Sequence, residues 1–176
     1  MDAVVVLLLA AVLGALAVPV TAGARRRADA RGAARLLATR MRLARVQAVA
    51  RGVNVALQIG AGPSGPLVRV FADGNGNGVR QADIASGVDP PIEPDIPLGE
   101  LFPWVGLGAA DGAIPDGAEP VPVDLYSFSP VGTASSGTVY LQAGPSAQFA
   151  VRVLGATARV RVLQRQALTG AWEERP

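Results

Sequence analysis

The chain has 176 residues, half of them hydrophobic, which is one ordinary domain with an added segment and excludes an intrinsically disordered polymer. It contains neither cysteine nor histidine, so disulfides, thiol nucleophiles and thiolate metal sites are excluded, and the commonest general base is missing; an enzyme is not expected and no cofactor is required. The net charge of +2 conceals an asymmetry: nine arginines face the single Asp29 between Arg25 and Arg51, whereas seven face twelve acids from Gly52 onward.

From Ala3 to Val20 no side chain is charged or strongly polar, and eighteen such residues are enough to cross a hydrocarbon core of about 30 Å. Two simple readings compete. Ala15-Leu16-Ala17 offers small residues for signal-peptide cleavage, yet no basic segment precedes the run, since Met1 is followed by Asp2. As a plain anchor, the run is followed by Arg25, Arg26 and Arg27, which would hold the body of the protein in the cytoplasm. Asp2, at the end of an apolar helix, is costly in lipid unless it meets a cation or sits at headgroup level.

The helical pattern continues past the apolar run. Leu36, Leu37, Met41, Ala44 and Ala48 recur at three- and four-residue spacing, with Arg31, Arg35, Arg42 and Arg45 between them, which predicts an amphipathic helix from 28 to 50. Pro19 is expected to bend the helix near the bilayer surface and Gly52 to end it. The organisation is then an apolar helix over 1–24, a basic amphipathic continuation over 25–51 and a β-rich head over 52–176.

In the head, Val53, Val55 and Leu57 alternate with small or polar residues, and Leu67 to Phe71 forms a second strand after the turn from Gly60 to Pro66. Residues 89–119 are rich in Pro and Gly and predict a long irregular excursion anchored by Phe102 and Trp104, read as packing residues rather than as a recognition surface. Strands are expected at 121–128, 138–142, 149–154 and 158–163, as one four-stranded antiparallel meander, with a loosely held tail from Gln164 to Pro176.

Two segments carry site chemistry. Asp73, Asn75 and Asn77, with Gly78 behind them, match the opening half of a calcium loop, but the twelfth position is Ile84 and not a carboxylate, and Asn-Gly pairs are equally a turn signal; a weak calcium site and a plain turn both fit. Arg159 and Arg161 alternate on the last strand, with Arg165 just beyond it, near-alternate positions that would face one side. They suit either the neutralisation of DNA phosphates or the charged protection of an edge strand.

Several stretches resemble a known family. Leu13-Gly14-Ala15-Leu16-Ala17-Val18-Pro19 is similar to the helix of type IV pilins and type II secretion pseudopilins, with Asp2 where that family places a glutamate. That register predicts that Met1 is an internal residue of a longer reading frame, with the leader and the methylated aromatic residue upstream. Phe128-Ser-Pro130-Val-Gly132 through Gly137-Thr138-Val-Tyr-Leu141 and Met41-Arg42-Leu43-Ala44-Arg45-Val46-Gln47-Ala48 resemble the two motifs of the FimT/GspH minor pilins and pseudopilins.

The resemblance implies an α+β lollipop, a long N-terminal helix packed against an antiparallel sheet head. It implies a subunit placed in the bacterial inner membrane with its head in the periplasm, assembling through that helix, with Asp2 and Pro19 as packing residues, into the initiating or tip complex of a type II secretion pseudopilus. The partners implied are other major and minor pseudopilins or pilins, the inner-membrane assembly platform and the lipid bilayer, with no small-molecule substrate. In relatives active in DNA uptake, a Gly-Arg-x-Arg sequence contacts DNA; here Ala158 stands in place of that glycine before Arg159 and Arg161.

Overall fold

A computed structural model of the chain describes residues 2–110, 114, 124–167 and 169–174, the side chains of 2–21 excepted. Helix α1 runs Asp2–Arg51, 50 residues, or about 75 Å at 1.5 Å per residue. It ends where the sequence predicts: Gly52 takes φ 68° and its N–H donates to the Ala48 carbonyl at 3.0 Å, a left-handed exit that costs glycine nothing. Among the described residues no helix is long and apolar enough to cross a membrane; the run Ala3 to Val20, with Asp2 and Pro19, lies outside the residues whose side chains are described.

Two antiparallel sheets cover one side of α1. The first has the order β3-β2-β1-β5, built from β1 (Val55–Gly62), β2 (Gly65–Ala72), β3 (Ile96–Pro97) and β5 (Leu125–Phe128). The second has the order β4-β6-β7-β8-β9, built from β4 (Gly106–Leu107), β6 (Gly137–Gln142), β7 (Gln148–Leu154), β8 (Arg159–Arg165) and β9 (Trp172–Glu174). Two short helices, α2 (Gln81–Ser86) and α3 (Leu98–Leu101), interrupt the connections. This is the α+β pilin-like build that the resemblance implies.

The helix stripe and the alternating strand positions meet in one core. Ala30, Ala33, Ala34, Leu37, Ala38, Met41, Ala44 and Ala48 from α1 pack with Val55, Leu57 and Ile59 of β1, Tyr126 and Phe128 of β5, Phe149, Val151 and Val153 of β7, and Val160 and Val162 of β8. Most of the helix positions are alanine, so the sheets can approach its backbone closely, and the larger side chains come from the strands. Leu36, at the margin of the predicted stripe, is only half-buried.

Four expectations need correcting. The β1–β2 hairpin is tighter than Gly60 to Pro66: both strands continue to a Gly62–Gly65 pair, leaving only Pro63 and Ser64 in the turn. The four later strands are not one meander, because β5 pairs with β1, Val55 opposite Phe128, and the chain passes to the second sheet between 129 and 136. The tail is held: Trp172–Glu174 pairs with β8, and the Trp172 ring meets Tyr140 edge-on at 5.5 Å. Within the excursion, Phe102 packs on the helix as expected, so close that a Cβ on Gly32 would lie 2.6 Å from its ring, but Trp104 is 53% exposed.

Candidate assembly surface and basic cleft

The side of α1 turned away from the sheets carries exposed apolar residues that no described part of the chain covers. Val46 is 62% and Val49 is 55% exposed, and Leu43 lies one turn before Val46. With Arg42, Arg45 and Ala50, the two valines line an open groove of about 410 Å³. The stem motif read from the sequence therefore divides between two faces, Met41, Ala44 and Ala48 inward and Leu43 and Val46 outward.

The second family motif lies beside the first. The Ser129–Thr133 loop closes on itself, the Ser129 N–H donating to the Thr133 carbonyl at 2.9 Å and the Gly132 N–H to the Ser129 carbonyl at 3.1 Å. Gly132 takes φ 88°, and a Cβ there would lie 3.9 Å from an Arg45 nitrogen. A Cβ on Gly137 would meet the Tyr126 ring at 2.9 Å. The motif's glycines thus serve backbone geometry and close packing, and they set an exposed Val131 beside the outward half of the stem.

Arg159, Arg161 and Arg165 share a face of β8, as their spacing predicts, but β8 is not an edge over its whole length: Leu163, Gln164 and Arg165 pair with β9. Glu174 answers two of the arginines, 3.9 Å from Arg159 and 3.3 Å from Arg161. Arg152 on β7 stands in register opposite Arg161. The sequence did not indicate what joins them. Arg35, Thr39 and Arg42 of α1 line one wall of a cleft of about 300 Å³ whose other wall is Val160, Arg161, Val162 and Glu174. Arg42 also donates to the Val160 carbonyl at 3.2 Å. Three guanidinium groups and one carboxylate thus line the cleft. Arg35 and Arg161 are 126 residues apart, a proximity no local pattern encodes.

The Asp73 loop is a compact hydrogen-bonded turn. The Asp73 carboxylate is buried and accepts from the N–H groups of Asn75, Gly76 and Gly78 and from the Asn54 amide, at 2.7–3.2 Å. Burial pushes its pKa up, and these four hydrogen bonds outweigh it, so the group lies below its ordinary value. Asp89, also buried, accepts from the N–H groups of Gly74 and Arg80, both at 3.0 Å. Ile84, at the twelfth position, packs against Ala56, Phe71 and Val79. The position that would close a calcium loop is spent on the core. Among the described residues no group of three or more His, Cys, Asp or Glu is placed to hold a metal ion.

A family model described as type II transport protein GspH matches residues 33–158, from the buried stripe of α1 to the turn before β8. No curated protein and no solved structure matches the chain.

Proposed function

The chain belongs to the GspH family of type II transport proteins, and from that premise we propose that it is a non-catalytic minor pseudopilin, which joins the initiating or tip complex of a secretion pseudopilus in the inner membrane and supports protein export. The observation that carries this reading is the outward face of α1. Leu43, Val46 and Val49 are apolar and exposed on the same helix whose other face already holds the head. Free apolar surface of this kind is stabilised by covering it, and a neighbouring subunit's helix is an occupant of matching shape.

Because the chain contains no cysteine, a single cysteine at Val46 or Val49 reports neighbours without background. With a matching cysteine placed on the stem helix of each other pseudopilin, oxidative cross-linking in cells is expected to give heterodimers from either position, and none from a cysteine at an exposed site away from α1, such as Val88. Equal yields from all three positions would overturn the reading.

A second reading, in which the subunit serves a type IV pilus and binds DNA for uptake, draws on the cleft where Arg35, Arg42 and Arg161 converge. Phosphate contacts of this kind are independent of sequence and weaken steeply with salt. Retardation of duplex DNA at low ionic strength that Arg161→Ala together with Arg159→Ala abolishes would favour it; no retardation at low salt would remove it.

A further inference from the structure

Trp104 is the one large aromatic that the head turns outward, and it is held there. Two residues before it, Phe102 is clamped onto α1 at Gly32, and one residue after it, Val105 is buried and its N–H donates to the Phe102 carbonyl at 3.0 Å. Between these fixed points the indole stands half-exposed under Arg26, whose guanidinium carbon lies 5.1 Å from the ring centroid. The turn between β6 and β7 docks at the same level: Arg27 donates to the Ser146 carbonyl at 3.4 Å, and a Cβ on Gly144 would lie 3.9 Å from an Arg26 nitrogen. The end of the head nearest the N-terminal run is therefore a rim of one indole and three exposed arginines, Arg25, Arg26 and Arg27, with Asp29 the one acid on this stretch of helix.

We propose that this rim rests on the anionic phospholipid headgroups of a bilayer, with Trp104 as its interfacial anchor. The proposal rests on reading Ala3 to Val20 as membrane-embedded. Arg26 stands six residues beyond Val20, about 9 Å along the helix and so just above a polar layer that extends about 5–8 Å beyond the hydrocarbon, and helical side chains lean toward the N-terminus, back toward that layer. Indole is the side chain that partitions to that layer, with its apolar ring toward the tails and its N–H in the wet zone. The arginines supply the matching sign for phosphodiester charge. The basic character of the rim and its continuity with the apolar run select lipid over a second protein surface. Such a seat would fix how far the head stands above the membrane and how it is rotated about α1, before the subunit enters any fibre.

The test uses the full chain in phosphatidylcholine vesicles, with and without phosphatidylglycerol. Flotation reports insertion, while Trp104 fluorescence, taken as the difference between the natural chain and Trp104→Phe, reports the rim. That difference avoids altering Trp172, which is packed on Tyr140. The expected result in anionic vesicles is a blue-shifted Trp104 emission, quenched by lipids brominated near the headgroup and protected from aqueous acrylamide. Arg25→Gln, Arg26→Gln and Arg27→Gln combined should lose the shift while the chain still floats. A chain that floats with Trp104 as open to acrylamide as in detergent-free buffer overturns the proposal and leaves the membrane reading intact; a blue shift that appears only when other pseudopilins are added assigns the rim to protein and overturns it too. A chain that does not float overturns both.

Discussion

The two faces of α1 between Ala30 and Ala50 both carry apolar residues and behave oppositely. The inward face is mostly alanine, closed over by two sheets, and its few large members, Leu37 and Met41, are fully buried. The outward face carries Leu43, Val46 and Val49 beside Arg42 and Arg45, and none of the described residues closes over them. Apolar content alone does not separate an element that holds a domain together from one kept for a partner. What separates them is whether the side chain has already been removed from water.

Substitutions on the two faces should part sharply. The strongest effect is expected from Leu37→Ala, which opens a cavity where helix and sheets meet and should cost about 2–5 kcal/mol, roughly 5–15 °C in Tm for a chain of this size. Thermal unfolding followed by circular dichroism reads it, and a change no larger than that of an outward valine would erase the distinction between the faces.

Next comes Tyr126, which is buried on the inward side. Burial, reinforced by the nearby Tyr140, pushes its phenol from 10.0 up to about 12. The folded pKa lies above the unfolded one, so the associated stability is complete below pH 10 and lost as pH rises toward 12. The loss is about 2–3 kcal/mol, seen as a falling urea midpoint in that window. Tyr126→Phe should flatten that part of the profile; an unchanged slope would mean the phenol is not the group responsible.

Arg42 tests the border between the faces. Its exposed guanidinium reaches over to the Val160 carbonyl, and Arg42→Ala should cost about 1 kcal/mol by leaving that acceptor to water. Smallest in stability is the pair Val46→Ser and Val49→Ser, expected to change unfolding by no more than about 0.5 kcal/mol. The same pair should sharply reduce secretion by cells that depend on this subunit. Loss of stability without loss of secretion would reverse the assignment of the two faces.

The period of α1, its exit at Gly52, the alternation at the start of β1 and the places of β6, β7 and β8 between their turns were legible in the sequence, because each is a local consequence of which residues must leave water and which favour a turn. The burial of Ala30, Ala33 and Ala38 was less visible, since alanine is nearly indifferent between core and surface and only the neighbouring sheet decides. The division into two sheets was hidden for another reason: β5 and β6 are both short apolar-rich strands, and nothing in their own residues says that one pairs with β1 and the other with β7. Strand β9 was missed because three residues, Trp172, Glu173 and Glu174, are too few to show a period. Of the candidate site, the shared face of Arg159, Arg161 and Arg165 was readable from spacing, while the contribution of Arg35 and Arg42 depends on contacts more than a hundred residues apart.

The buried stripe from Ala30 to Ala48 has a mechanical consequence. It extends about 27 Å along the axis of α1, and the head is also tied to the helix by Glu93, which accepts from Arg40 at 3.1 Å and from Gln47 at 2.6 Å. A force directed along the helix must slide every one of these contacts together, as in a lap joint loaded in shear. A force applied sideways at the Ala48 end needs to open only one turn at a time, as in peeling tape. The joint between stem and head is therefore strongest in the direction along which a subunit would be pushed by its own helix, and weakest across it.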